Sequence, residues 1–171
     1  EAHWLFGMER EQIDVVLHPQ STVHSMVEFV DGSILAQLGL TDMRVPIQYA
    51  LTYPERLASN GWSFDLAAMT RLDFGKPSTR RYPCLRLARE ALRKGGAYPC
   101  ALNAADEIAV AAFLERRLNF PGIAAVVEDV LEKMPRMKLT SMDQVLAADA
   151  EARRLAQDAV ARRNLQATAA G

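Results

Sequence analysis

Apolar positions along this chain fall into short runs up to about residue 53, lose their rhythm to about residue 80, and then recur at helical spacing almost to the end. In the first region Ile13-Asp14-Val15-Val16-Leu17 is a β-branched run closed by His18-Pro19, where proline ends a strand. Val23 to Val30 and Ser33 to Leu38 flank Asp31-Gly32. Asp-Gly between two apolar-rich runs predicts a hairpin with a two-residue type I′ turn, since both central residues of that turn take positive φ. With Val30 and Ser33 beside the turn, Ser25, Val27 and Phe29 share an apolar, core-directed face with Ile34, Ala36 and Leu38. The opposite face carries His24, Met26, Glu28, Leu35 and Gln37, a mixture that calls for partial cover. Residues 43 to 53 read as a short helix, with Val45, Tyr49 and Thr52 on one side, Pro46 tolerated in its first turn and Asp42 as N-cap.

Residues 54 to 80 contain Asn60-Gly61, two prolines and scattered apolar side chains without a sustained period. They read as a linker, but Trp62, Phe64, Leu66, Met69, Leu72 and Phe74 imply one packed against something. Beyond Tyr82 four amphipathic helices follow. Pro83 to Lys94 has Leu85, Ala88 and Leu92 as its stripe and Gly95-Gly96 as its stop. Asn103 is an N-cap candidate, with Asp106 and Glu107 in the first turn of a helix running through Ile108, Ala112 and Leu118. Pro121 opens a third helix, in which Ile123, Val126, Val127, Val130, Leu131 and Met134 recur at helical spacing. Ser141 with Gln144 forms a capping-box pattern for a fourth, through Val145, Ala152, Leu155 and Val160, with fraying expected beyond Asn164. The reading is α+β: a region with a β-hairpin over 1–53, a linker over 54–80, and a four-helix bundle over 81–171.

Charge adds mild support to this division. Residues 1–53 hold two Arg against seven Asp and Glu, a local net of −5, whereas residues 81–171 hold fourteen Lys and Arg against eleven acids, or +3. The formal net charge of −1 supplies no general attraction to nucleic acid or to an anionic membrane. Half the 171 residues are apolar, yet no apolar run is long enough to span a bilayer, so a cytoplasmic location is expected. Cys84 and Cys100 lack zinc-site spacing and are expected to be buried, reduced thiols.

Few residues offer chemistry, and each has a plainer reading. His24, on the mixed hairpin face beside Met26 and Gln37, is placed to hydrogen-bond a substrate, a water or a loop, or else to hold strand and loop together. His18, in Leu17-His18-Pro19, reads as structural. Met43 stands at a helix start, where methionine ordinarily packs or caps. Arg44 is expected to form a buried or interface ion pair. Glu107 reads as serving a helix N-terminus, and a lone Glu1 cannot hold a divalent ion without further ligands. Ser21, Thr22 and Ser25 near the two histidines show no nucleophile elbow or orienting acid. Arg80, Arg81, Arg86, Arg89, Arg93 and Lys94, interleaved with acids, read as a solvated face or salt-bridge partners, not a nucleic-acid surface.

Five segments in order carry a family resemblance: Glu1-Ala2-His3-Trp4-Leu5-Phe6; Leu17-His18-Pro19-Gln20-Ser21-Thr22-Val23-His24-Ser25-Met26-Val27; Asp31-Gly32-Ser33-Ile34-Leu35-Ala36-Gln37-Leu38-Gly39 with Asp42-Met43-Arg44; Arg81-Tyr82-Pro83-Cys84-Leu85; and Ala101-Leu102-Asn103-Ala104-Ala105-Asp106-Glu107-Ile108. Together they resemble the C-terminal part of the 1-deoxy-D-xylulose 5-phosphate reductoisomerase family. The resemblance implies an enzyme that isomerises 1-deoxy-D-xylulose 5-phosphate and reduces the product with NADPH to 2-C-methyl-D-erythritol 4-phosphate in non-mevalonate isoprenoid biosynthesis, aided by a divalent metal, Mg or Mn. It further implies that residues 1–53 end the α/β catalytic domain and that the enzyme is a homodimer built through this sheet region. His24 and Met43 are the pocket-lining candidates, with Met43 approaching substrate or nicotinamide.

Members of the family are longer and begin with a nucleotide-binding region and an acidic metal-binding pair. This chain has no G-x-G-x-x-G turn opening a helix, and Glu1 follows the position of the family's metal-binding Glu. The expectation is therefore a truncated chain with no catalytic, cofactor-binding or metal-binding residue of its own, inactive without the missing N-terminal region. The competing reading is a non-enzymatic helical interaction or dimerisation module related to the enzyme.

Overall fold

A computed structural model describes residues 2–58, 64–65 and 67–169, with side chains through Asn164. Glu1, Asn60-Gly61, Trp62 and Leu66 lie outside the described residues. In chain order the elements are α1 (Ala2–Phe6), a 3-10 turn (Arg10–Gln12), β1 (Val23–Glu28), β2 (Ile34–Leu38), α2 (Arg44–Thr52), α3 (Pro83–Lys94), α4 (Tyr98–Leu114), α5 (Phe120–Lys133) and α6 (Met142–Ala169). They form two compact units, one of Val15–Pro77 and one of Glu1–Asp14 with Ser78–Gly171. Strand pairing is confined to one and helix packing to the other, so the chain is α+β.

In the helical unit, Pro83 opens α3, and Gly95 ends it with φ of +64°, its N–H donating to the Ala91 carbonyl at 2.9 Å. The buried stripe of α3 is Leu87 and Ala91, with Leu85 and Leu92 half-buried and Ala88 exposed, so the packed face is rotated from the expected one. α4 begins at Tyr98, before the expected Asn103 cap. Pro99 in its first turn fixes a helical φ, and Gly96 at φ +56° lets Ala97 N–H reach the Met137 carbonyl at 3.0 Å. Asn103 is therefore mid-helix, and its amide donates to Glu107 one turn on at 2.9 Å. Glu107 serves no helix start. It also accepts from Arg153 of α6 at 2.7 Å, which holds its carboxyl below the ordinary range.

Asn119 caps α5 by accepting the Gly122 N–H at 2.9 Å, and Pro121 follows in the first turn. Ile123, Val126, Val127, Val130, Leu131 and Met134 are all buried. At the start of α6, Ser141 Oγ accepts the Gln144 N–H at 3.3 Å. The Gln144 side chain reaches back one residue further than a standard capping box, to the Thr140 N–H at 2.8 Å. Helical structure continues past Asn164 to Ala169.

Where α4 and α6 meet, the core is built of alanine: Ala101, Ala104, Ala105 and Ala109 on one helix, Ala148, Ala152 and Ala156 on the other. Short side chains allow close helix approach with little side-chain entropy to lose. Leu87, Val126, Val130 and Val160 supply the largest fully buried side chains. Tyr98, also buried, donates from its hydroxyl to the Met134 carbonyl at 3.2 Å. The expectation of two buried thiols is corrected: Cys84, in the first turn of α3, is exposed, and Cys100 is half-buried.

The run Ile13 to Leu17, which enters the other unit at Val15, forms no strand. Only Leu17 pairs, in an isolated antiparallel bridge with Gly75 whose hydrogen bonds are 2.8 and 2.9 Å. The hairpin is present, but its turn differs from the expected type I′. Gly32 alone takes positive φ (+81°), its N–H donating to the Phe29 carbonyl at 2.9 Å, while the Phe29 N–H donates to Ser33. The loop is a turn over Val30 and Asp31 followed by a left-handed glycine, the usual three-residue hairpin loop.

Asp31 works through its carboxylate instead of a positive φ, accepting the Ser33 N–H at 2.9 Å and hydroxyl at 2.6 Å. The longer loop slips the register by one. Glu28 faces Ile34, Val27 faces Leu35 and Met26 faces Ala36, so Met26, Glu28, Ile34 and Ala36 now share a face and Val27 lies with Leu35 on the other. Neither face is buried in this chain: Met26 is 41% exposed on one and Val27 49% on the other.

Candidate functional site

The residues with chemical capacity in the Val15–Pro77 unit gather at two places. The first is the pairing of residues 17–20 with residues 71–75. His18 Nδ1–H donates to the Asp73 carbonyl at 2.8 Å, and its ring stacks on Phe74 with centroids 4.7 Å apart. Gln20 exchanges two hydrogen bonds with Asp73, donating to the carboxylate at 2.6 Å and accepting the backbone N–H at 3.2 Å, while Arg71 pairs with the same carboxylate at 2.9 Å. His18 therefore ties two segments far apart in sequence. Its Nε2 is buried without a hydrogen-bond partner among the described residues.

The second place is the end of the hairpin and the start of α2. Strand pairing is irregular between Val23 and Ser25, so His24 sits in a bulge with its side chain exposed. Its ring lies against Gly39: a Cβ there would meet His24 Nε2 at 3.7 Å and Gln37 Nε2 at 3.5 Å. Gly39 in turn lines a pocket of about 280 Å³ together with Leu40, Val45, Gln48, Tyr49 and Arg56. The walls are mostly apolar. The Arg56 guanidinium stacks 4.1 Å over the Tyr49 ring, and Gln48 donates to the Leu57 carbonyl at 3.1 Å.

Asp42 and Arg44 mark the α2 start. The Asp42 carboxylate accepts the Arg44 N–H at 2.9 Å and the guanidinium Nε at 3.0 Å, and these hydrogen bonds hold its carboxyl at about 2. Asp42 thus accepts the first N–H of α2 from one residue before the N-cap position, which Met43 holds instead of the expected Asp42, and its ion pair joins an exposed Arg44 to a half-buried Asp42. Met43 between them is 71% exposed and makes no side-chain cap bond.

The structure brings His24 beside the Gly39 edge of the pocket. Neither His24 nor Met43 lines that cavity. Of the residues that do, Tyr49 reads from the sequence only as part of a helix face and Arg56 carries no local pattern; an aromatic and a cation seven apart flanking a proline turn is the signal for them. Ser21, Thr22 and Ser25 make no hydrogen bond to either histidine side chain among the described residues; the Thr22 hydroxyl donates instead to the Gln20 carbonyl at 3.4 Å. Also among the described residues, no three His, Cys, Asp or Glu side chains cluster so as to hold a metal ion. The arrangement can bind and orient; among the described residues it pairs no Ser or Thr hydroxyl with a histidine side chain.

Comparison with known proteins places these features in a family. The family model described as the DXP reductoisomerase C-terminal domain matches residues 38–155. The 1-deoxy-D-xylulose 5-phosphate reductoisomerase of Burkholderia multivorans is 54% identical over 162 residues, 95% of this chain and 41% of the relative. That of Pseudomonas paraeruginosa is 54% identical over 156 residues, 91% of this chain and 39% of its own length. This chain thus spans about two fifths of the relatives it matches.

Among solved structures, the reductoisomerase from Zymomonas mobilis in complex with NADPH superposes with a TM-score of 0.85 at 43% identity, covering 93% of this chain and 42% of that one. A reductoisomerase in complex with NADPH, fosmidomycin and magnesium gives 0.87 at 40% identity, over 93% of this chain and 41% of that one. With the family model matched over most of the chain and the same fold in the solved relatives, this chain belongs to the 1-deoxy-D-xylulose 5-phosphate reductoisomerase family, matching its C-terminal part.

Proposed function

We propose that this chain works as the C-terminal part of an enzyme that converts 1-deoxy-D-xylulose 5-phosphate to 2-C-methyl-D-erythritol 4-phosphate by isomerisation and NADPH-dependent reduction in isoprenoid biosynthesis. The observation that carries this reading is 54% identity in an alignment over 95% of the chain, which takes in the hairpin as well as the bundle. A helical interaction module would need only the bundle to be kept, so the alternative loses its support. Among the described residues no cluster of His, Cys, Asp or Glu fits a divalent ion, so the metal would be held by residues outside this set.

What the chain itself contributes is a wall and a brace. Residues 1–53 would close one side of the catalytic domain, with His24 offering a hydrogen-bonding imidazole at the strand bulge and Met43 an exposed thioether for packing on substrate or nicotinamide. Residues 54–80 would join this region to the bundle of 81–171. The hairpin, with apolar side chains exposed on both faces, supports a homodimer formed through the sheet. The cytoplasm is the proposed location; no helix among the described residues is long and apolar enough to cross a membrane.

Two assays test the reading. The 171-residue chain, supplied with NADPH, magnesium and substrate, is expected to oxidise no NADPH above background, and measurable turnover would contradict it. In an active enzyme carrying this segment, His24→Gln is expected to lower kcat about tenfold or more with the unfolding midpoint unchanged. An unchanged rate would return His24 to a structural role.

A further inference from the structure

A second cleft, in the helical unit and about 310 Å³ in volume, is lined by Arg10, Thr79, Arg86, Arg89, Glu90 and Arg93. Its composition follows from helix geometry. Arg86, Arg89, Glu90 and Arg93 stand three and four apart on α3 and therefore share one face, while Arg10 comes from the 3-10 turn that packs beside that helix.

The charges are not balanced locally. Arg86 is held by Glu128 at 2.6 Å and, more loosely, by Glu90 at 3.4 Å, and Arg10 pairs with Glu11 at 2.9 Å. Arg89 and Arg93 have no ion pair among the described residues. Four arginines, two of them without an ion pair, thus line one small space in which Glu90 is the sole lining acid. Like charges a turn apart on a helix repel, and placing them around a concavity focuses their field on it. A bound anion relieves that repulsion, and guanidinium forks match phosphate oxygens in pairs.

We propose that this cleft binds a multivalent phosphate anion, a diphosphate group, on Arg89 and Arg93 with Arg10 and Arg86 completing the ring and the Thr79 hydroxyl as a neutral donor. A single sulfate or orthophosphate could engage two of the guanidiniums at once; a diphosphate spans more of them, so valence sets the preference. The inference is independent of the reductoisomerase reading, because all six lining residues belong to the helical unit and none is in the hairpin or α2.

The test is titration calorimetry of the chain with inorganic diphosphate, orthophosphate, sulfate and ADP in metal-free buffer. Inorganic diphosphate is expected to bind about tenfold or more tightly than orthophosphate or sulfate, with affinity falling as salt rises. ADP binding as well as or better than inorganic diphosphate would show that the source is an organic diphosphate; weaker ADP binding would show that it is the free anion. Arg89→Gln with Arg93→Gln is expected to weaken diphosphate about tenfold or more, Glu90→Gln to tighten it about threefold, and Arg154→Gln, on α6, to leave it unchanged. Absence of diphosphate binding, equal affinity for all the anions, or equal binding by the Arg89 and Arg93 variant would overturn the proposal.

Discussion

A Cβ placed on Gly96 would stand well inside contact distance of the Met137 carbonyl oxygen, at a φ of +56° that side chains rarely adopt. Both faults fall on backbone that cannot swing aside, so Gly96→Ala is expected to cost about 2–4 kcal/mol in a urea unfolding curve. A loss within about half a kcal/mol would show that the α3–α4 connection is looser than a direct Ala97 to Met137 backbone contact allows. Tyr98 makes a different kind of contribution. Tyr98→Phe keeps the ring and removes only the donor to the Met134 carbonyl, for an expected loss of about 1 kcal/mol. Asp42 gives the pH dependence. Its carboxyl is held at about 2 by Arg44, below its unfolded value, so its stabilising contribution is fully present above roughly pH 4 and is lost as pH falls through about 2. Asp42→Asn should remove that segment of the acid unfolding profile, and an identical profile would contradict the assignment.

Among the elements, α5 tests capping most simply. Asn119→Ala removes the side-chain acceptor of the Gly122 N–H and should cost about 1 kcal/mol. The bounds of α3 and the buried positions of α5 are legible in the sequence because Pro83, Gly95 and an unbroken stripe from Ile123 to Met134 act locally. The start of α4 is obscured because the polar run Asn103, Asp106 and Glu107 imitates a helix entrance, while the real signal, Pro99 after Gly95-Gly96, lies upstream. In the hairpin, Asp31-Gly32 locates the turn but leaves the loop length open. A carboxylate that hydrogen-bonds Ser33 serves the longer loop, and one extra residue exchanges the faces of every side chain. The His18 and Asp73 pairing was beyond local reasoning, since the partners are 55 residues apart.

At the scale of the whole molecule, the two units differ in self-sufficiency. The helical unit encloses its own alanine and valine core, whereas the hairpin leaves Met26, Val27, Ile34 and Leu35 in contact with solvent. That contrast is what a brace and a wall would show: one part folded around itself, the other shaped for cover by further protein. The family resemblance was legible because its motifs are contiguous in sequence, while the pocket at Gly39, Tyr49 and Arg56 emerged only once the hairpin end and α2 were placed together. The direct test is to substitute this chain for the matching C-terminal segment of the Burkholderia multivorans reductoisomerase and follow NADPH oxidation with 1-deoxy-D-xylulose 5-phosphate and magnesium, alongside NADPH binding as a check on the upstream half. Turnover within about tenfold of the parent enzyme is expected; a hybrid that binds NADPH normally but does not turn over would contradict the claim that this segment supplies a competent wall of that active site.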